Sequence, residues 1–177
     1  HLVIAVLACA KLCLQAAEPS PIEDFGLFPT WPILDDGRKM PIDSYARNTL
    51  LRYSGKSTMN KEPAIEWLAR VLFTPGTTTG DPLFLINNPG IAQDLEIPEQ
   101  ESRRYSFTDL EPALQRLAMK TRSITSKEAP SDFDKELLRI DRNVRHYVIL
   151  VNAFAWTRPH ADFTVGHLDA RKALNLP

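Results

Sequence analysis

The stretch 31-WPILDDGRKMPIDSYARNTLLRY-53 predicts an extended segment, a tight turn and the start of a helix within one short unit. Asp36 and Gly37 favour the turn, because aspartate tolerates tight backbone angles and glycine adopts positive φ without steric cost. Pro41 and Asp43 are typical of a first helical turn, where proline needs no hydrogen-bonded N–H and a carboxylate faces the positive end of the helix dipole. We therefore expect a helix to begin near Pro41.

Apolar residues within and after this stretch recur at helical spacing. A first helix is predicted from about Pro41 to Tyr53, with Gly55 placed to end it. A second helix is predicted from about Glu62 to Phe73, and Pro75 follows it. The apolar run from Leu83 to Ile86 is either a strand or a buried extended segment, and the sequence reveals no partner strand for it.

The second half of the chain carries two apolar seams. From Phe107 to Ile124 and from Phe133 to Phe154, apolar residues alternate three and four positions apart. Such seams are typical of helices that pack lengthwise, and the polar stretch 125–130 joins them. Ser131 or Asp132 is expected to cap the second helix. The fold prediction is therefore mostly α: a helical domain with a C-terminal antiparallel helical hairpin and at most a minor short extended element.

The N-terminal residues differ in character from the rest. The range 2–17 is apolar and rich in small residues, which is typical of a secretory signal or the end of a short anchor. Both cysteines of the chain, Cys9 and Cys13, lie in it, so thiol and disulfide chemistry are not expected in the folded part. The expected organisation is a signal peptide or the end of an N-terminal anchor at 1–17, a proline-rich lead-in at 18–30, a helical extracytoplasmic domain at 31–157 and, at 158–177, a tail that could lead to a missing continuation.

Composition and net charge limit the classes of binding partner that we expect. Of the 177 residues, 44% are hydrophobic and 24% are charged, which is ordinary for a folded domain. The net charge is −1, with lysines and arginines spread along the chain. A nucleic-acid surface needs a clustered basic field, so no nucleic-acid partner is expected.

Two arginines are the better candidates for a binding role. Arg38 follows the glycine turn, where its guanidinium could grip a carboxylate in a fork, and Arg47 lies on the same predicted helix start. The alternative is a structural role for Arg38, in which it forms an ion pair with Asp43 or Asp36 and holds the turn against the first helix.

The tail carries a repeated His-x-Asp pattern. His160 and His167 each precede an aspartate by two positions, at Asp162 and Asp169. Two imidazoles oriented by carboxylates could ligate a metal or haem iron. A zinc site normally needs three or four protein ligands, so exposed tail histidines are the more common case.

No catalytic constellation is visible. The run from Gly55 to Thr58 resembles the end of a phosphate-binding loop, but Leu50 stands where that motif requires glycine. His146 falls on the flank of the last predicted helix, beside a basic stripe of Arg139, Arg142 and Arg145 that we interpret as a solvated face. The chain also lacks nucleophile-elbow, zinc-protease and dinucleotide-binding patterns. We therefore expect a protein that is not an enzyme.

The run from Trp31 to Tyr53, with Asp36-Gly37-Arg38-x-x-Pro41-x-Asp43-x-x-Ala46-Arg47 at its centre, resembles an extracytoplasmic domain of bacterial cytochrome c biogenesis proteins. In that family the domain accompanies the membrane haem-handling protein of the system II pathway. Three later features are also similar: the helix end at Gly55-Lys56, the apolar run from Pro82 to Asn88, and Tyr105-Ser106-Phe107-x-Asp109-Leu110. The resemblance therefore covers about residues 31–155.

The resemblance implies a role outside the cytoplasm in attaching haem covalently to apocytochrome c. Its partners would be the membrane haem-handling protein and apocytochrome c, with no tightly bound cofactor and haem only as a transient ligand. Arg38 and Arg47 would contact a partner or haem propionates. The family's membrane helices, tryptophan-rich motif and haem-ligating histidines are absent from this sequence, so a docking or assembly role is expected. The alternative is a secreted helical protein, unrelated to cytochromes, that binds a ligand or peptide.

Overall fold

The structure is a computed structural model that describes residues 25–155. Its helices are α1 (Ile42–Ser54), α2 (Ala64–Phe73), α3 (Pro89–Asp94), α4 (Phe107–Leu110), α5 (Leu114–Thr125) and α6 (Asp132–Asn152). Its strands are β1 (Pro32–Asp35), β2 (Arg38–Pro41), β3 (Thr58–Met59), β4 (Glu62–Pro63), β5 (Phe84–Leu85) and β6 (Arg104–Tyr105). Short 3-10 turns lie at Phe28–Thr30, Pro75–Thr77 and Glu111–Ala113.

The prediction of a mostly α fold with at most one minor extended element is wrong. The strands pair into three antiparallel two-stranded sheets, β1–β2, β3–β4 and β5–β6, so the described part is mixed α/β. Four of these strands are two residues long. A strand of that length is too short to show the alternation of apolar and polar residues by which strands are recognised.

The hairpin β1–β2 is built by the turn that the sequence indicates. Asp36 and Gly37 form a two-residue connection, with φ of 47° and 78°. Positive φ at both positions is typical of a type I′ turn, whose twist matches that of a β-hairpin. The register places Asp35 opposite Arg38 and Ile33 opposite Met40.

The apolar run from Leu83 to Ile86 has a partner strand that the sequence does not reveal. Phe84 lies opposite Tyr105 and Leu85 opposite Arg104. The N–H of Ile86 extends the pairing by donating to the carbonyl oxygen of Arg103 at 2.9 Å. The segment is therefore a strand at its centre. Its partner strand lies in a stretch that contains two charged residues, Arg103 and Arg104.

Helix ends follow local chemistry. Gly55 ends α1 with φ of 71°, and its N–H donates to the carbonyl of Leu51, as the sequence predicts. Ser131 caps α6 through a reciprocal capping box with Asp134. The predicted helix of the first apolar seam, expected to begin at Thr108 or Asp109, is interrupted by the 3-10 turn that contains Pro112, because proline lacks the N–H needed in a helix interior.

The elements share one hydrophobic core. The helices α5 and α6 pack side by side across the short connection 126–131, and α6 also packs on α2 and β5. Trp67, Tyr53, Phe84 and Tyr147 are almost fully buried at the centre. Ring centroids are 6.1 Å apart between Tyr53 and Trp67 and 5.7 Å apart between Phe84 and Tyr147.

Within residues 25–155, no helix is both long enough and apolar enough to cross a membrane.

Candidate functional site

An open cleft of about 320 Å³ lies beside the hairpin β1–β2. Strand β1, the start of α1, one face of α2 and the C-terminal end of α6 with Phe154 after it build its walls. Most of its surface is apolar, with Trp31, Leu34, Leu72 and Phe154 among the lining side chains. Its size is at the lower end of small-molecule sites, which span about 300–1,000 Å³.

Aromatic side chains form one side of the cleft. Phe28 contacts Trp31 and Phe73 edge to face, with ring centroids 5.3 Å and 6.0 Å away. Phe73 in turn lies 5.4 Å from Phe154. Trp31 and Leu34 stay exposed over 53% and 70% of their surface, so the cleft opens through an apolar rim. Exposed apolar patches that surround a concavity are typical of binding surfaces.

Two polar side chains interrupt the apolar lining. Asp35 at the end of β1 and Tyr45 in α1 both face the cleft. The structure gives Asp35 no ion pair or side-chain hydrogen bond among residues 25–155. Its carboxylate is partly buried, which raises the cost of leaving it without a partner.

Behind Tyr45 lies a partly buried hydrogen-bonded group centred on His146. The hydroxyl of Tyr45 is 2.9 Å from Nε2, and the hydroxyl of Tyr53 is 2.7 Å from Nδ1. The guanidinium of Arg52 is 3.1 Å from Nδ1. An arginine can only donate, so Nδ1 is an acceptor and Nε2 carries the ring proton. His146 is therefore held as the neutral Nε2–H tautomer, which donates to Tyr45.

The surroundings favour that neutral form. Burial, reinforced by the positive charge of Arg52, lowers the pKa of His146 from 6.5 to about 4, and Asp35 only partly opposes this. Burial also raises the pKa of Tyr45 and raises that of Tyr53 well above its ordinary value. At neutral pH all three side chains are uncharged. The group joins α1 to α6 beside the wall of the cleft.

The two candidate arginines have different surroundings. Arg38 lies in β2, exposed, and the structure gives it no ion pair with any described residue. The alternative pairings with Asp36 and Asp43 are not formed. Arg47 instead forms an ion pair with Asp43 one helical turn away. Of the two, Arg38 is available to a partner.

The tail histidines His160 and His167 lie outside the described residues. Between residues 25 and 155, no cluster of three or more histidine, cysteine, aspartate or glutamate side chains is arranged to hold a metal ion.

Sequence reasoning missed the polar group at the cleft. It placed His146 on a solvated flank, whereas the ring lies between two tyrosines of α1. One signal was available: Tyr45 and Tyr53 are eight residues apart and share a helix face, and buried tyrosine hydroxyls usually need a hydrogen-bond partner. Arg139, from the same basic stripe, is held by Glu136 and the carbonyl of Leu85.

Comparison with known proteins adds no assignment: no family model matches the chain, and no curated protein is significantly similar to it.

Proposed function

We propose that the chain is a non-catalytic extracytoplasmic domain that supports cytochrome c maturation by docking a partner protein. One observation carries the proposal. The stretch 31–53, on which the resemblance to the system II domain rests, supplies the hairpin and the helix start that line the cleft. It also contributes Tyr45 and Tyr53, the tyrosines that hold His146. The distinctive residues and the concave apolar surface thus belong to the same part of the molecule.

Docking suits this surface better than catalysis. Both ring nitrogens of His146 are engaged, and its low pKa makes it a weak base at neutral pH. Among the described residues that line the cleft there is no serine, threonine or cysteine. A cleft of this kind offers shape and apolar area, which are the main requirements of a protein-docking site.

A protein partner also suits the cleft better than haem. Among the described residues that line the cleft, the charged side chain is that of Asp35, whose carboxylate would repel haem propionates. Arg47, one of the two proposed propionate contacts, is already paired with Asp43. Arg38 remains as a basic group near the rim, where it can contact an acidic side chain of the partner.

The test is to replace the gene in its host by a Leu34→Ser variant and measure covalent haem in the c-type cytochromes. Leu34 is exposed on the cleft, so its loss should spare folding and weaken docking about fivefold, as for an interface side chain worth about 1 kcal/mol. Haem-stained cytochrome c should fall while the abundance of the domain stays constant.

Met119→Ser is the matched control, because Met119 is exposed over 58% of its surface and lies in α5, away from the cleft lining. It should leave cytochrome c unchanged. Normal cytochrome c in a strain that lacks the whole gene would refute the proposed function.

A further inference from the structure

We propose that the cleft binds an extended segment of a protein partner in which an apolar side chain lies next to a lysine or arginine. This inference rests on the docking function above and names the chemistry of the partner. It is carried by three features of the cleft: its apolar lining, a carboxylate that has no ion pair with any described residue, and an edge of β1 that has no partner among the described strands.

The apolar feature sets the first requirement. Leu34 and Trp31 are exposed at the mouth, and Leu72 and Phe154 lie in the lining. Water held against such a surface is released when an apolar side chain replaces it, at a gain proportional to the buried area. A leucine- or phenylalanine-sized group suits a cleft of about 320 Å³.

The carboxylate sets the second requirement. Asp35 lines the cleft at the end of β1, and the described residues offer it no ion pair. Arg38 lies opposite it in the hairpin register, yet no ion pair joins the two side chains. Docking of a purely apolar group would cover this carboxylate and leave it unsatisfied. A cation beside the apolar group would pair with it, so the partner should be basic at this point.

The strand edge indicates a peptide rather than a small molecule. Residues 31–35 line the cleft consecutively, although side chains along a strand alternate between its two faces. The cleft therefore runs along an edge of β1. Among the described strands β1 pairs only with β2, so its other edge presents backbone groups without a strand partner. An extended segment can satisfy such groups by adding a strand.

Two synthetic peptides test the proposal: acetyl-Ser-Leu-Lys-Phe-Lys-Ser-amide and the same peptide with both lysines replaced by glutamate. Each is labelled with fluorescein and titrated with the full 177-residue chain, and fluorescence anisotropy is followed. The lysine peptide should bind saturably and about fivefold tighter than the glutamate peptide, because an exposed charge pair contributes up to about 1 kcal/mol.

Substitutions in the cleft test whether the preference for the lysine peptide arises there. Asp35→Asn should remove most of the difference between the peptides, whereas Glu99→Gln, an exposed carboxylate outside the lining, should preserve it. Leu34→Ser should weaken binding of the lysine peptide, and Met119→Ser should not. Circular dichroism of each variant establishes that it is folded.

Several results would overturn the proposal. They are equal affinity for both peptides, no saturable binding of either, or a lysine preference that survives Asp35→Asn. Saturable haemin binding that is lost in Leu34→Ser, without peptide binding, would assign the cleft to haem instead. The assay contains no cytochrome, so it separates the two proposals. Peptide binding as expected with normal cytochrome c in the deletion strain would refute only the maturation role.

Discussion

At the residue scale, His146 forms a polar link between α1 and α6. Its ring stands between the hydroxyls of Tyr45 and Tyr53, at distances of 2.9 Å and 2.7 Å. Buried polar groups stabilise a fold when each has a partner and destabilise it when one partner is lost. The imidazole provides one acceptor and one donor to this group only while it is neutral. Its protonation state is therefore coupled to the packing of α1 against α6.

Acid should destabilise the protein through this residue. The folded-state pKa of His146 is about 4, below the ordinary 6.5, so between these values the unfolded chain binds a proton that the folded chain does not. The contribution is complete above pH 6.5 and is lost as the pH falls toward 4. Allowing for partial exposure, the loss should approach about 2 kcal/mol. Urea unfolding at pH 7.5, 6 and 5 measures it.

His146→Gln provides the comparison, because glutamine does not titrate. The variant should be less stable at pH 7.5, since the tyrosine hydroxyls lose well-placed partners. Its stability should then fall less between pH 7.5 and pH 5 than that of the wild type. Histidines with ordinary pKa values contribute nothing to this difference. If the two free energies of unfolding decline in parallel with pH, His146 is not the responsible group.

At the element scale, the hairpin β1–β2 depends on its glycine. Gly37 has φ of +78°, and a Cβ built on it would meet no atom within 4 Å. The cost of Gly37→Ala is therefore backbone strain alone, expected to lower the free energy of unfolding by about 1–2 kcal/mol. Because this turn also positions β1 along the cleft, peptide binding should weaken in the same variant. Thermal unfolding and the anisotropy titration measure the two effects.

Gly76→Ala is the matched control for that substitution. Gly76 also has open space around its Cβ position but lies outside the positive-φ region. Alanine there should leave stability unchanged or raise it by up to about 1 kcal/mol, because it restricts the unfolded chain. Equal losses in the two variants would contradict the account based on φ.

The elements that the sequence predicts well are those with strong local signals. The turn at Asp36-Gly37, the end of α1 at Gly55 and the cap at Ser131 each follow from the preferences of a few residues. The pairing of Phe84 with Tyr105 does not, because it joins two-residue strands across twenty positions of sequence. The contact of Tyr45 with His146 is also long-range. Local patterns therefore predict the β1–β2 turn and the helix ends at Gly55 and Ser131, while the β5–β6 pairing and the cleft depend on long-range packing.

At the scale of the whole molecule, the helical pair at the end of the described part is anchored to the earlier elements. Arg139 in α6 donates to the carbonyl of Leu85 in β5, at 2.6 Å. Asn143, one turn later, donates to the carbonyl of Arg52 in α1, at 3.2 Å. Tyr147, almost fully buried, contacts the ring of Phe84. Contacts to α1 and β5 thus recur along α6, and α6 cannot separate without exposing the core.

The described part should therefore unfold as one cooperative unit. Trp67 is fully buried in α2, so its fluorescence reports on the core, whereas far-UV circular dichroism reports on all the helices, and half of the residues in the described α-helices lie in α5 and α6. In a variant that carries Trp31→Phe and Trp156→Phe, Trp67 is the one remaining tryptophan of three. Urea transitions followed by the two signals should coincide in midpoint and slope. A fluorescence transition that precedes the loss of helix would instead make α5 and α6 a separately stable hairpin, because the core around Trp67 would then open while these helices persist.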